Sequence, residues 1–446
     1  MARVTDMTQG NSTKHILKFT LPLLLGNLFQ QCYNLVDSIV VGQHVGKNAL
    51  AAVGTCGSLC FLFFSLSAGL SIGVGIIVAQ YFGAGDEEHI KKNIANAVYV
   101  LTVAAAFMSV IGICFAPQIL TLISTPEKIM PDAVCYLRVT SVGIIAVTAY
   151  NCVSSVLRAV GDSKTPLYFL ILASIINIVF DLVFVLCFDL GVLGVALATV
   201  ISQFISAITA WIYALKCVPY FRIEKQQMKF EGALVKCILK ISIPMSLQNA
   251  LIAFSCIVLQ RVVNTFGETV MATYTITMRI ESIVQQPYSS LGTAITTYSG
   301  QNMGAGNIER VRKGMKDGTI MALIFSLSML PVAYIFGETI THLFAKEPEV
   351  VIMGAKALRI TSLCYFPLGM IYIPRAVLNG VGDANFAMIN GISEVVCRIV
   401  FANLLTKVPF IGYWGVWITS GATWTVTGAV CVIRYLKGKW KQKGIT

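Results

Sequence analysis

The sequence predicts an all-α integral membrane protein: twelve transmembrane helices as two parallel six-helix repeats with a central cavity. Three observations carry this. The 446 residues are 56% hydrophobic and only 12% charged, with a mean hydropathy of +0.76, outside the range of soluble globules. Apolar runs fit to cross a hydrocarbon core recur along the chain, at 16–41, 97–115, 166–188 and 321–336 among others. The third observation is that one unit is written twice.

The repeat is read directly. Ile16-Leu17-Lys18-Phe19-Thr20-Leu21-Pro22 returns as Ile238-Leu239-Lys240-Ile241-Ser242-Ile243-Pro244, and Asn27 returns as Asn249. Gln80-Tyr81-Phe82-Gly83-Ala84-Gly85-Asp86 returns as Gln301-Asn302-Met303-Gly304-Ala305-Gly306-Asn307. Val160-Gly161-Asp162 matches Val381-Gly382-Asp383, and the spacing holds at 221 or 222 residues throughout. Chance likeness of apolar segments would not keep that register. Six spans return a half to the side from which it started, so the repeats are parallel and related by an axis along the membrane normal. The expected organisation is an N-terminal lobe at 1–215, a charged linker at 216–236 and a C-terminal lobe at 237–446, with alternating access by rocking of one lobe against the other.

The formal charge of +12 does not point to nucleic acid, because the basic residues alternate with the loops and form no soluble face. One side receives Lys14, Lys91, Lys92, Arg158, Lys164, the linker, the Arg310 to Lys316 cluster and the C-terminal lysines, while the other side's loops hold only Lys47, Lys128, Lys346 and Lys407. The rich side is cytoplasmic by the positive-inside rule, which predicts a multi-pass plasma-membrane protein with both termini inside. No cleavable signal is expected, since the first apolar run is too long for one. The 13 cysteines are scattered without metal-ligand spacing and read as packing residues.

Ionisable groups inside spanning helices cost about 2.5–3.5 kcal/mol on insertion scales, so each requires a reason. On the first helix Gln30, Asn34 and Asp37 share one stripe with Asn27. The fifth span carries Asn177 and Asp181 four residues apart, and Thr199 follows on the sixth. At about 1.5 Å per residue, Asp37 lies about 31 Å from Ile16, Asp181 about 24 Å from Thr165 and Thr199 about 12 Å from its outer helix end. Two carboxylates, an amide and a hydroxyl at one depth suit a small hard cation such as Na+, or a carboxylate pair sharing a proton. The competing reading is that the carboxylates only bridge helices by hydrogen bonds. Asn151 on the fourth span is a further contributor from slightly deeper. All four histidines lie in loops or at a terminus, which disfavours a histidine relay.

The second half breaks the pattern: the positions equivalent to Asp37 and Asp181 are Leu259 and Ala402. It holds instead Arg279 and Glu281 on the eighth span, Arg375 on the tenth, and Glu394 with Arg398 at ion-pair spacing on the eleventh. These read as a structural set, with substrate contact by Glu281 as the alternative. Pro22 and Pro244 each free a carbonyl inside the first helix of a half and are candidate hinges.

The segment from Pro22 to Gly42 with its Val36-Asp37-Ser38 core, the Gly83-Ala84-Gly85 loop with its copy, and the two Val-Gly-Asp turns resemble the multidrug and toxic compound extrusion (MATE) family over nearly the whole chain. The resemblance implies a secondary antiporter that exports amphipathic, often cationic organic compounds in exchange for Na+ or H+. It also implies coupling at Asp37, Asn177, Asp181 and Thr199, with Gln30, Tyr136 and Asn151 as further matches. Family members with a second carboxylate pair carry acids on the seventh and tenth helices, and the corresponding stretches here, 247–254 and 366–375, contain none. No organic cofactor, no nucleic-acid partner and a monomeric state are expected. The runner-up is a lipid or lipid-linked-glycan flippase, for which a cavity rich in arginine and lysine would be anticipated. An enzyme would need a nucleophile and base, or a metal cluster, at one depth, and a channel would need rings of identical groups; neither pattern is present.

Overall fold

The computed structural model describes residues 4–40, 44–123 and 125–445, with the side chains of 33–40, Lys47, Asn48, Leu50 and Ser58 outside that description. Among the described residues there is no strand. The first half contains α1 (Ser12–Val40), α2 (Lys47–Ala84), α3 (Glu87–Cys114), the short α4 (Ala116–Leu122), α5 (Met130–Ala159), α6 (Lys164–Leu182) and α7 (Gly191–Cys217). The second contains α8 (Gly232–Val263), α9 (Glu268–Gly304), α10 (Ile308–His342), α11 (Pro348–Ser362), α12 (Tyr365–Gly380), α13 (Ala384–Leu405) and α14 (Gly415–Leu436). Each half thus supplies six spans, α11 and α12 forming one span bent by 49°.

Among the described residues nine helices are long and apolar enough to cross a membrane, or ten with the bent pair counted. The other two are α1, whose outer end carries the undescribed side chains, and α9. The composition of α9 is polar because its polar groups turn inward: Glu281, Ser299, Gln301 and Asn302 are all buried. Hydrocarbon solvates no polar group, so a polar spanning helix belongs in the interior.

The twofold repeat extends to backbone conformation. Glycines 46, 85, 161 and 191 have positive φ, and so do glycines 267, 306, 382 and 412, each 221 residues on. At the Gly-Ala-Gly loops the physical reason is a left-handed helix cap. Gly85 donates to Phe82 O and Asp86 N–H to Tyr81 O, at 3.1 and 3.0 Å; Gly306 donates to Met303 O and Asn307 N–H to Asn302 O, at 3.0 and 2.8 Å. Asp86 then caps α3, accepting from the backbone N–H of His89 at 3.0 Å, and that bond holds its carboxyl below the usual carboxylate range.

The contacts divide the chain into two compact units: Met1–Asp6 with Leu21–Ser246, and Met7–Thr20 with Leu247–Thr446. The sequence boundaries at 215 and 237 follow the repeat, whereas these units interlace. The start of α1 belongs to the second unit, and the start of α8 belongs to the first. In the second unit Arg310 donates to the carbonyls of Met7, Gln9 and Gly10 at 2.9–3.1 Å, and Thr13 Oγ1 donates to Asp317 at 2.9 Å. Within the first unit, α8 packs on α2 at backbone distance. A Cβ on Gly69 would lie 2.5 Å from the Cα of Ser246, and one on Gly73 2.6 Å from the Cα of Ser242. Ser242 and Ser246 donate to Leu70 O and Leu66 O, both at 2.9 Å. Small residues one turn apart on each helix are what permits this approach in lipid. The linker lies on α3 in the same unit, with Asn96 donating to Lys229 O at 3.3 Å and accepting from Glu231 N–H at 2.9 Å. Pro22 and Pro244 each fall two residues from the point where their helix passes between units.

Because no space exists at the α2–α8 contact, Gly73→Val is predicted to destabilise the protein by about 1–3 kcal/mol through overpacking. Ser242→Ala should cost only about 0.6 kcal/mol, the mean for an intramembrane hydrogen bond. Thermal unfolding in detergent tests the ordering; a Gly73→Val midpoint no lower than that of Ser242→Ala would refute it.

Candidate functional site

In the first unit, α6 and α7 bring Asn177, Asp181 and Thr199 together. Asn177 and Asp181 are 1% exposed, one turn apart on the inner face of α6. Asn177 Nδ2 lies 3.4 Å from Thr199 Oγ1. With the amide turned over, its NH2 donates to Asp181 Oδ2 at 3.0 Å and its oxygen accepts from the Thr199 N–H at 3.3 Å. Directly after Asp181 the helix widens into a π turn, Val183–Cys187, a distortion that often marks functional positions. Phe180 and Phe184 stack across its start with centroids 5.4 Å apart.

Thr199 also lines a cavity of about 410 Å³ within the same unit, together with Gln30, Tyr136, Thr140 and Gln203. Phe61, Phe63 and Phe64 form its aromatic wall. A volume of this size with apolar walls and a few polar groups is typical of small-molecule sites. Among the described residues the lining carries hydroxyls and amides and no charge. The carboxylate of Asp181 is connected to it through Asn177 and Thr199.

The structure therefore gathers Gln30, Tyr136 and Thr199 at one cavity, with Asn177 and Asp181 next to it. The side chains of Asn34 and Asp37 lie outside the described residues; Asp37 follows Gln30 by two helical turns, about 10 Å along the axis. Asn151 is buried on α5, about 22 Å along that helix from Tyr136, and is not part of the cavity wall. Sequence reasoning missed Gln203 and the phenylalanine wall. Gln203 carried a signal, since it sits one turn from Thr199 on the same face of α7. The phenylalanines carried none, because an aromatic residue in a spanning helix usually faces lipid or core.

In the second unit the equivalents of the acidic positions are apolar. Leu259 and Ala402 are fully buried in one core with Val263, Val270, Tyr274 and Trp417. Arg398 stands at the repeat position of Asn177, 221 residues on. It donates to Glu394 Oε1 at 3.1 Å, with side-chain exposures of 8% and 6%. Glu281 is buried beside Thr361 and within range of the Arg398 charge. Arg279, two residues earlier, is exposed. The guanidinium of Arg375 stacks on the Tyr372 ring at 4.8 Å, and Tyr372 donates to Gln285 at 3.2 Å. Gln248 donates to Asn390 at 3.2 Å, and Asn390 to Cys431 Sγ at 3.0 Å.

A buried pair costs most when half of it is removed. Arg398→Met and Glu394→Leu are each predicted to lower stability by about 3–5 kcal/mol, with the double variant recovering most of the loss. Unfolding in micelles as a double-mutant cycle checks this, and additive losses would contradict the pairing.

The MatE family model matches residues 22–183 and again 244–404. A probable multidrug resistance protein, YpnP of Bacillus subtilis, is 32% identical over 443 residues, covering 98% of this chain and 97% of that protein. A probable multidrug resistance protein NorM of Thermotoga maritima is 25% identical, covering 97% and 94%. Among solved structures, an outward-facing multidrug resistance MATE family transporter of the MOP superfamily superposes with a TM-score of 0.92 at 23% identity, covering 100% of this chain and 99% of that one.

Proposed function

The chain belongs to the MatE family, the multidrug and toxic compound extrusion transporters, and on that premise we propose that it couples export of amphipathic, often cationic organic compounds to entry of Na+ or H+ at Asp181. The observation that carries the coupling assignment is the buried Asn177–Asp181–Thr199 cluster, which shares Thr199 with the cavity. A membrane-embedded carboxylate that holds a cation differently in two states lets that cation bias the equilibrium between them, which is what alternating access requires. Asp37, two turns beyond Gln30 on the polar stripe of α1, is the second coupling carboxylate in this reading.

The cavity supports the substrate class: its phenylalanine wall accepts an apolar or aromatic body, and Gln30, Tyr136, Thr199 and Gln203 offer hydrogen bonds at its polar edge. Exchange needs no organic cofactor, and one chain contains the whole site, consistent with a monomeric transporter. The distribution of lysine and arginine supports placement in the plasma membrane with both termini and the linker cytoplasmic. The flippase reading is not favoured, since this cavity carries amides and hydroxyls where a pyrophosphate headgroup would call for several cations.

Ion-driven uptake of a fluorescent amphipathic cation into inverted vesicles is expected to fall at least about tenfold in Asp181→Asn and Asp37→Asn, the loss of a charged-site interaction being worth more than about 1.4 kcal/mol. Imposing a sodium gradient and a proton gradient separately identifies the coupling ion. Wild-type uptake in both variants would remove the assignment.

A further inference from the structure

The Asn177 amide has two hydrogen-bonding orientations of the same shape, and they differ in what they present to Thr199. We propose that Asn177 relays the loading of Asp181 to the cavity, so that a cation on Asp181 turns the amide over and occupies an acceptor position of the Thr199 hydroxyl. This rests on the reading of Asp181 as the coupling site.

The chemistry follows from the inventory of donors and acceptors. A bare carboxylate accepts only, so the Asn177 NH2 turns toward Asp181 Oδ2 at 3.0 Å, and the amide oxygen takes the Thr199 N–H at 3.3 Å. Thr199 Oγ1 is then left to face the cavity it lines. A cation on Asp181 reverses the demand: a protonated carboxyl donates and a sodium ion accepts ligands, and both call for the amide oxygen. The NH2 then points at Thr199 Oγ1, 3.4 Å away, and takes one of the hydroxyl's two acceptor sites. The proton, where the cation is one, stays on Asp181; only the hydrogen-bond directions invert. Because oxygen and nitrogen exchange places within one planar group, no repacking is needed around a side chain that is 1% exposed.

The sign is that of an antiporter. A cationic or amine-bearing ligand in the cavity seeks acceptors, and loading Asp181 withdraws one. By linkage, ligand binding disfavours the cation to the same extent. Direct repulsion between the two charges would act in the same direction, but it needs neither Asn177 nor the Thr199 hydroxyl. Around Asp181, α5 contributes Tyr136 and, at its outer end, Asp132 and Arg138; α7 carries its only charge, Lys216, at the opposite end; the π turn ends on Cys187; and Asp37 of α1 lies outside the described side chains.

The test uses the full-length protein in lipid nanodiscs, with ethidium as the probe because it is an aromatic cation bearing N–H donors. Its Kd is titrated from acid to alkaline pH in potassium buffer, and again at fixed alkaline pH with added sodium. In the wild type the Kd should rise between about twofold and tenfold on loading, the equivalent of one hydrogen bond. Dependence on pH alone identifies a proton as the load, and dependence on sodium identifies the metal ion. In Asn177→Leu and Thr199→Val that dependence should vanish while ethidium still binds, and Thr199→Ser should restore it. The infrared carbonyl band of a protonated carboxyl, lost in Asp181→Asn, reports separately that Asp181 still loads. Wild-type dependence in Thr199→Val overturns the relay, whether or not Asn177→Leu folds. If Asp181→Asn removes the dependence but the other two variants keep it, only the relay fails. If Asp181→Asn itself behaves as wild type in binding and transport, the coupling site has been misassigned.

Discussion

Hydrocarbon offers no hydrogen bonds, and a carboxylate placed in it must find its donors inside the protein. That constraint accounts for most of the interior described above. Asp181 sits one turn from Asn177 so that an amide can reach it. The same rule turns the polar residues of α9 inward and pairs Arg398 with Glu394. It also selects small residues where α2 meets α8, because between helices in lipid the driving force is close packing and not exclusion from water.

The two repeats obey this constraint in opposite ways. Their caps and turns are the same, down to four pairs of glycines with matched positive φ, since reversing a helix at a membrane surface poses the same backbone problem twice. Their interiors differ. Where the first half has Asn177 and Asp181, the second has Arg398 and Ala402, and where the first has Asp37, the second has Leu259. Leu259 and Ala402 complete an apolar core, and the arginine is neutralised by a glutamate one turn away. The first half thus retains a carboxylate whose partner is a neutral amide, able to serve either charge state. The second half holds its charge against a fixed counter-charge, which favours one state.

A further consequence comes from the interlacing of the units. Each half begins its first helix among residues of the other compact unit and crosses close to a proline, Pro22 or Pro244. The N-terminal stretch is held by Arg310 and Asp317, and the start of α8 by the backbone of α2. A proline interrupts the backbone ladder at the crossing, so the two segments of each helix are less tightly bound to one another than a continuous ladder would make them.

The sequence by itself determined the solvent, the number of spans, the twofold repeat and its asymmetry of charge, because hydropathy, register and the price of intramembrane charge act residue by residue. It also marked Asn177, Asp181 and Thr199, since helical spacing predicts which residues share a face. Only the tertiary structure decided which faces meet. That Thr199 belongs both to the carboxylate cluster and to a cavity walled by Phe61, Phe63 and Phe64, that Gln203 joins that wall and Asn151 does not, and that the two units interlace all depend on helix rotation and packing between segments far apart in the chain. No local pattern encodes those, because many rotations of an apolar helix satisfy lipid equally well and only the contacts with its neighbours select one.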